Sequence, residues 1–285
     1  MATLFDQYDL FLLDAYGVLT TSQGVIPGAK DFLNYVRQSR KTLRVLSNDC
    51  SRTRENARAF YESRGLHFEL DEVINAGHAL TKYFADHQLI GSRCAVLGTK
   101  DTQECVRRAG GLPIDILIGE AFDLIVIGDD SGFETLPTMN TVLTFAHQAA
   151  RRGQPLPVIV ANPDLMYQKS ESAFGFTSGS LATLLEMGLR ELNPSVEFQF
   201  TVVGKPSPFM FEMATAETSI PKTRTLMIGD QLRTDIEGAN RVGIASCLVG
   251  TGLTLLPLAD DLPLAMQPKH VINSLSELDH ALRPK

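Results

Sequence analysis

The sequence has few cysteines, no excess of basic residues and no long apolar run at its start. Its four cysteines, among 285 residues, show no close paired spacing, which argues against a disulfide framework or a zinc site and predicts a reduced, cytoplasmic protein. Acidic residues (33) outnumber basic residues (26), so the net charge is −7. No basic cluster is longer than Arg151-Arg152, and nucleic acid is therefore not an expected partner.

The amino-terminal segment also lacks the features of a targeting sequence. It carries no basic leader, and its longest apolar run, Leu10 to Leu13, is too short for a signal sequence or a membrane span. The histidines show neither HxH nor HxxxH spacing, so they are not expected to bind metal. These features predict that the chain has no membrane partner.

The sequence does contain enough apolar residues for a substantial core, since 44% of its residues are hydrophobic and 21% are charged. Apolar runs typical of strands alternate with helical patterns, which indicates an α/β fold with a largely parallel sheet. The predicted strands cover residues 10–13, 43–46, 94–97, 114–118, 124–127, 158–160, 198–203, 225–228 and 245–248. The predicted helices cover residues 29–39, 53–64, 102–109, 136–151, 180–192, 234–242 and about 274–282.

Two polar signatures follow predicted strands early in the chain. Asp14 comes directly after the run at 10–13, where a carboxylate can act as a nucleophile or a metal ligand. Ser47 and Asn48 follow the next strand, where a hydroxyl and backbone amides can bind an anionic oxygen. Taken alone, each signature is more typical of an ordinary turn. Because ligands bind at the carboxyl ends of parallel strands, the two sites could nevertheless share one crevice.

Two further signatures follow strands late in the chain. Lys205 stands between a strand and two prolines, and an ammonium group held in this way suits a phosphoryl oxygen or an anionic nucleophile. Asp230 and Asp235 flank a strand-to-helix turn. Carboxylate oxygens at such a turn suit Mg²⁺, which prefers one or two carboxylates together with water and phosphate.

In this order and spacing, the four signatures resemble the motifs of the haloacid dehalogenase (HAD) superfamily. The segments Gly204–Pro208 and Ala161–Leu165 are similar to its p-nitrophenyl phosphatase (NagD-like) branch. That resemblance implies a Rossmann-like core with a largely parallel sheet, formed by residues 1–77 and 180–285. It also implies an α/β cap domain inserted at residues 78–179.

The resemblance implies a role for each motif residue in the hydrolysis of a small phosphorylated metabolite. Asp14 would attack phosphorus and form an aspartyl-phosphate, and Ser47 would bind the phosphoryl group. Lys205 would neutralise negative charge on the nucleophile and the phosphoryl oxygens. Asp230 and Asp235 would bind Mg²⁺ together with Asp14.

The resemblance also assigns residues around the substrate. Tyr16 would supply its backbone carbonyl to the metal, while Asn48 and Asp164 would contact substrate. Relatives with this kind of cap often form dimers through it, so a homodimer is one expected assembly.

Tyr16 departs from the pattern of the phosphatases, which usually carry a second aspartate at this position as the general acid and base. A phenol, with an ordinary pKa of about 10, is poorly suited to that role near neutral pH. Two alternatives to a slowed phosphatase therefore stay open: a dehalogenase-like hydrolase that needs no metal, and a weakened member that binds phosphorylated metabolites as a sensor.

Three further carboxylates invite a functional interpretation. Asp49 could replace the missing proton carrier, although a role in a turn is the favoured interpretation. Asp129 and Asp130 follow an apolar run and imitate a metal motif, but they fall inside the predicted cap. We interpret them as a carboxylate pair in a loop that could face the substrate.

Overall fold

The computed structural model describes residues 5–170, 172–216 and 218–280. Its strands, in chain order, are β1 (Leu10–Leu13), β2 (Thr20–Thr21), β3 (Gly24–Val25), β4 (Thr42–Ser47), β5 (Val73–Asn75), β6 (Arg93–Leu97), β7 (Leu112–Pro113), β8 (Leu124–Ile127), β9 (Val158–Val160), β10 (Met166–Ser170), β11 (Ala173–Phe176), β12 (Phe200–Val202), β13 (Thr225–Gly229), β14 (Ala245–Val249) and β15 (His270–Ile272). Its α-helices are α1 (Ala29–Gln38), α2 (Arg54–Glu62), α3 (Ala76–Asp86), α4 (Lys100–Arg108), α5 (Thr135–Arg151), α6 (Ser178–Leu192), α7 (Pro208–Ala216), α8 (Glu237–Arg241) and α9 (Leu275–His280).

The larger sheet is parallel and has the strand order β15-β14-β13-β1-β4-β5. Strand β1 pairs with β13 on one side and with β4 on the other, so Leu13 lies opposite both Ile228 and Val45. All four residues of β1 are buried. Alternate residues of β1 belong to two different apolar clusters, as expected for a parallel sheet whose two faces are both covered. The predicted α/β architecture with a parallel sheet is confirmed.

A second parallel sheet has the order β12-β9-β8-β6-β7. Helices α5 and α6 pack on it and on each other, around an apolar cluster that includes Ile125 and Leu185. Another apolar cluster contains residues of both sheets, among them Leu12 and Val126. The two sheets are therefore joined by a continuous core.

The second sheet extends past residue 179, where the predicted insert ends. Helix α6 packs against strands β8 and β9, and β12 pairs with β9 so that Val202 lies opposite Val160. The chain returns to the larger sheet after β12 and not at residue 180. The pairing of β9 with β12 joins segments that are far apart in sequence, so local apolar patterns do not reveal it.

The predicted strand at 114–118 is wrong. Only Leu112–Pro113 forms a strand there, and residues 116–119 form a turn. The carboxylate of Asp115 accepts a hydrogen bond from the N–H of Leu117 at 3.0 Å, which stabilises the turn. Ile116 is buried in the core of the second sheet, whereas Leu117 and Ile118 are exposed, so the run does not have the burial of a core strand. The predicted helix at 274–282 corresponds to α9, and residues 281 and 282 lie outside the described residues.

Two small antiparallel hairpins lie near the carboxyl end of β1, and the sequence patterns do not predict either of them. One hairpin is β2–β3, and the other is β10–β11. They meet where the hydroxyl of Ser22 donates to the backbone carbonyl of Lys169. Among the described residues, no helix has both the length and the apolar character needed to cross a bilayer.

Candidate active site

Asp14, Ser47 and Asp230 lie at the carboxyl ends of neighbouring strands of the larger sheet. Asp14 follows β1, Ser47 ends β4 and Asp230 follows β13. The backbone N–H of Asp14 donates to the carbonyl of Ile228 at 2.9 Å, which extends strand pairing to the carboxylate itself. The structure therefore brings the predicted residues to one edge of the sheet, where ligands of α/β proteins bind.

Lys205 lies between two carboxylates of this edge. Its Nζ atom is 2.7 Å from Oδ1 of Asp14 and 2.7 Å from Oδ1 of Asp235, and only 1% of the residue is exposed. Burial alone would lower the pKa of Lys205, but the two carboxylates outweigh it and raise that pKa above its ordinary value. The ammonium group is therefore charged and fixed beside Asp14.

Only one of the two oxygen atoms of the Asp230 carboxylate has a hydrogen-bond partner in the protein. Its Oδ2 atom accepts a hydrogen bond from the N–H of Leu253 at 2.7 Å, whereas its Oδ1 atom is buried with no hydrogen-bond partner. The main chain crowds this carboxylate, because a Cβ atom added at Gly252 would lie 1.9 Å from Oδ2. A Cβ atom added at Gly17, whose φ is +90°, would lie 2.4 Å from Oδ2. Both glycines are required for this close approach.

A divalent cation fits the chemistry of this cluster. One carboxylate oxygen from each of Asp14, Asp230 and Asp235 lies within 4.8 Å of the others. Burial and the neighbouring carboxylates raise the pKa of Asp230 well above its ordinary value. Burial likewise raises the pKa of Asp235 to about 7. The cluster therefore holds more negative charge than Lys205 can balance, and the unpartnered Oδ1 of Asp230 is a ready oxygen ligand.

Ser47 and Asn48 connect β4 to the rest of the site. The Ser47 Oγ atom accepts a hydrogen bond from the N–H of Asp49 at 3.2 Å, so its own proton is available to a ligand. The Asn48 side chain bridges two other segments. It accepts from the N–H of Lys205 at 2.7 Å and donates to Oδ1 of Asp164 at 3.1 Å. Contact of Asn48 and Asp164 with substrate stays a prediction.

Asp49 has the contacts of a turn residue. Its Oδ1 atom accepts from the N–H of Ser51 at 2.7 Å and from the Ser51 hydroxyl at 2.6 Å. Its Oδ2 atom is 3.0 Å from Nη1 of Arg52. These contacts hold the carboxylate in place, which favours the turn interpretation over a role as proton carrier.

Tyr16 contacts the β10–β11 hairpin. Its hydroxyl donates to the backbone carbonyl of Gln168 at 3.2 Å. Its ring meets that of Tyr167 edge to face, with centroids 6.3 Å apart. The phenol proton is therefore directed to the hairpin that covers the site.

A cavity of about 370 Å³ connects these groups, and both sheets contribute to its lining. Asp14, Ser47 and Asp230 contribute to this lining from the larger sheet, and Asp129 and Asp164 contribute to it from loops that follow β8 and β9. Burial raises the pKa of Asp164 to about 6 and also raises the pKa of Asp129.

Two family models match the amino-terminal and carboxyl-terminal parts of the chain. A haloacid dehalogenase-like hydrolase model matches residues 11–111, and a HAD-hydrolase-like model matches residues 202–278. The chain belongs to the haloacid dehalogenase-like hydrolases.

Individual haloacid dehalogenase-like proteins are similar over nearly the whole chain. Chronophin from Bos taurus is 29% identical and covers 95% of this chain and 92% of its own length. A possible sugar phosphatase from Cytophaga hutchinsonii has a TM-score of 0.78 at 29% identity, with 95% of both chains covered. A glycerol phosphate phosphatase from Mycobacterium tuberculosis, solved in complex with magnesium, shares the fold at 24% identity. Its TM-score is 0.78, with 98% of this chain and 79% of that chain covered.

Sequence reasoning missed several residues of this haloacid dehalogenase-like site. Gly252 and Leu253 enclose the Asp230 carboxylate, and Gln168 accepts from Tyr16. A Gly-Thr-Gly segment directly after β14 was the available signal for the first pair, since glycines after a parallel strand permit close approach of the backbone to a ligand. No local signal marks Gln168, because it acts through its backbone carbonyl.

Proposed function

We propose that this protein is a magnesium-dependent phosphatase of small phosphate monoesters that forms an aspartyl-phosphate at Asp14. The observation that carries this proposal is the buried cluster in which Asp14 contacts Lys205 and shares a potential metal site with Asp230 and Asp235. Phosphoryl transfer depends chiefly on positioning and charge neutralisation, and this cluster provides both. A similar fold solved with magnesium supports the choice of cation.

Asp14, Asp230 and Asp235 would hold the magnesium ion. When bound, the ion would supply positive charge that neutralises the phosphoryl oxygens. The backbone carbonyl of Tyr16 is a further predicted ligand.

The side chains of the protein have separate tasks in this proposal. Oδ1 of Asp14 is bound to Lys205, so Oδ2 is the oxygen that attacks phosphorus, and the bond between phosphorus and the leaving oxygen breaks. The ammonium group of Lys205 neutralises charge on the nucleophile and the phosphoryl group. The Ser47 hydroxyl, which accepts from Asp49, donates its proton to a phosphoryl oxygen.

Tyr16 restricts which substrates react quickly. A phenol is a weak acid near neutral pH, and the Tyr16 proton is already donated to the carbonyl of Gln168. Leaving groups that need little protonation, such as aryl oxides, should therefore depart faster than alkoxides. Loss of general acid and base assistance typically costs about 10² to 10⁴ in rate.

The second sheet acts as the cap in this proposal. The cap, predicted at residues 78–179, would also include α6 and β12, because both pack with the second sheet. A cavity of about 370 Å³ suits a small phosphorylated metabolite better than a phosphoprotein. A cytoplasmic location and a homodimer stay predictions from the sequence.

The test is hydrolysis of p-nitrophenyl phosphate by the wild type and Asp14→Asn, with Mg²⁺ or with EDTA. We expect turnover only with Mg²⁺, and a loss of at least roughly 10³-fold in Asp14→Asn, because the nucleophile is removed. Asp31→Asn, a substitution in the exposed first turn of α1, is the matched control and should retain full activity.

Acid quenching followed by mass spectrometry should detect one phosphoryl group on the wild type and none on Asp14→Asn. Chloride release from a haloacid in EDTA would instead identify a dehalogenase. Tight binding of phosphorylated metabolites without turnover would identify a sensor.

A further inference from the structure

The cavity lining contains four carboxylates besides those of the catalytic cluster. They belong to Asp49, Asp129, Asp130 and Asp164, and Arg52 is the one basic residue among the described residues of the lining. Asp164 lies beside the catalytic cluster, because it accepts a hydrogen bond from the Asn48 side chain, which also accepts from the N–H of Lys205. Asp129 and Asp130 line the cavity from the loop that follows β8 of the second sheet.

Arg52 is already committed to a neighbour. Its Nη1 atom is 3.0 Å from Oδ2 of Asp49, and its guanidinium group lies over the ring of Phe60, 4.3 Å from the ring centre. Arg52 thus neutralises Asp49, and no second basic side chain of the described lining offsets Asp129 or Asp130.

Asp129 and Asp130 form no ion pair among the described residues. Asp129 accepts a hydrogen bond from the N–H of Ser131, a neutral donor, at 3.0 Å. These two residues define a carboxylate wall of the cavity that no basic side chain of the described lining offsets.

In the catalytic cluster, by contrast, charges can balance. The carboxylates of Asp14, Asp230 and Asp235 are offset by the ammonium group of Lys205 and the divalent cation that we propose there. A phosphate group that binds at this cluster meets cations. The rest of the substrate extends toward the carboxylate wall, where like charges repel strongly because little water screens them.

We propose that the carboxylate wall of Asp129 and Asp130 selects phosphate monoesters whose alcohol carries hydroxyl groups and no second negative charge, that is, neutral polyol phosphates. Hydroxyl groups donate hydrogen bonds to carboxylates, whereas a carboxylate or second phosphate on the substrate would be repelled. Repulsion of the wrong substrate is a common source of specificity. This inference rests on the proposed phosphatase activity and adds the substrate class.

The test compares two substrates of nearly the same shape, glycerol 3-phosphate and 3-phosphoglycerate, in which a hydroxymethyl group replaces a carboxylate. With Mg²⁺ at pH 8, we expect kcat/KM to be at least about tenfold higher for glycerol 3-phosphate, because one added charge faces the wall. Equal values for the two substrates would overturn the inference.

In the double variant Asp129→Asn/Asp130→Asn, kcat/KM for 3-phosphoglycerate should rise. The ratio of kcat/KM for glycerol 3-phosphate to kcat/KM for 3-phosphoglycerate should therefore fall at least about fivefold. Asparagine keeps the acceptor that Ser131 requires, and Asp130→Asn alone should give a smaller change in the same direction. The matched control is Asp260→Asn/Asp261→Asn, an adjacent exposed pair outside the cavity lining, which should leave the ratio unchanged.

A ratio that does not change in the double variant, or that changes equally in the control, would overturn the inference. Hydrolysis of p-nitrophenyl phosphate separates this failure from failure of the proposed function. If that ester is hydrolysed with Mg²⁺ while the two glycerol esters react equally, only the substrate class is wrong. If it is not hydrolysed, the phosphatase proposal itself is wrong.

Discussion

The catalytic cluster and the carboxylate wall contrast in how their acidic groups are held. In the cluster, Asp14, Lys205 and Asp230 are each at most 5% exposed, and strands of the larger sheet fix the backbones of Asp14 and Asp230. In the wall, Asp129 and Asp130 are half-buried and lie in a loop. The cluster is held by strand pairing and ion pairs, whereas Asp129 is held by a hydrogen bond within a turn.

This difference indicates which side chains of the site are constrained by the catalytic chemistry and which are constrained by the substrate. A buried carboxylate cluster tolerates little displacement, because each charge depends on its partner. A loop carboxylate with neutral partners can change without disturbing the core. Substitutions should therefore have large effects on rate and stability in the catalytic cluster and selective effects in the carboxylate wall.

The largest effect is expected for Lys205→Met. This substitution leaves Asp14 and Asp235 without their shared cation, so the free energy of unfolding in EDTA should fall by about 3–5 kcal/mol. Turnover should also be lost. Urea unfolding monitored by circular dichroism, with EDTA and with Mg²⁺, measures the stability, and Mg²⁺ should recover part of the loss.

Lys82→Met is the matched control, since Lys82 pairs with Asp86 on the surface. It should cost less than about 1 kcal/mol, as is usual for an exposed ion pair. Equal losses in the two variants would contradict the contrast between a buried and an exposed lysine.

An intermediate effect on activity is expected for substitutions of Tyr16, which contacts the β10–β11 hairpin. Tyr16→Asp introduces a carboxylate with an ordinary pKa near 4 and should accelerate hydrolysis of alkyl phosphates by at least about tenfold, with a smaller gain for aryl phosphates. Steady-state kinetics with glycerol 3-phosphate and p-nitrophenyl phosphate measures both gains.

Tyr16→Phe removes only the hydrogen bond to Gln168. Its activity should stay within about threefold of the wild type, because one hydrogen bond of this kind contributes about 1 kcal/mol at most to holding the hairpin. A collapse of turnover in Tyr16→Phe would show that the phenol takes part in proton transfer.

The smallest effect is expected for Asp164→Asn. Burial raises the pKa of Asp164 in the folded protein to about 6 from an ordinary 3.8, so its ionised form destabilises the fold. The contribution of Asp164 to stability is full below pH 3.8 and is lost as the pH rises through 6. Asp164→Asn should therefore melt a few degrees above the wild type at pH 7.5 in EDTA and at nearly the same temperature at pH 4. A shift of equal size at both pH values would show that ionisation of Asp164 is not its cause.

The positions of Asp14, Ser47 and Asp230 were predictable from the sequence because each residue directly follows or ends a buried strand. The strands β1, β4 and β13 are short and were located by their largely apolar pattern. Since parallel strands end at one edge, the meeting of Asp14, Ser47 and Asp230 followed from topology. The contact of Lys205 with Asp14 needed only the assumption that its strand ends nearby.

The parts of the cavity lining that come from the β10–β11 hairpin and the second sheet were not predictable in the same way. The β10 segment alternates weakly, and most of its residues are polar, so it carries no clear strand pattern. The run at 114–118 is largely apolar, so hydrophobicity alone suggested a strand, but only Ile116 is buried while Leu117 and Ile118 are exposed. The bridge of Asn48 between Lys205 and Asp164 joins three separate segments through side-chain and backbone atoms, and no local spacing encodes it.

The short passage from β12 to Lys205 has a mechanical consequence. Strand β12 ends at Val202, and a span of three residues reaches at most about 11 Å when fully extended. If the second sheet rotates away from the larger sheet, the rotation axis must therefore lie close to this segment. Otherwise the ammonium group of Lys205 would separate from Asp14. Opening of the cavity beside the β10–β11 hairpin would also require release of the hydrogen bonds that Tyr16 and Ser22 donate to this hairpin.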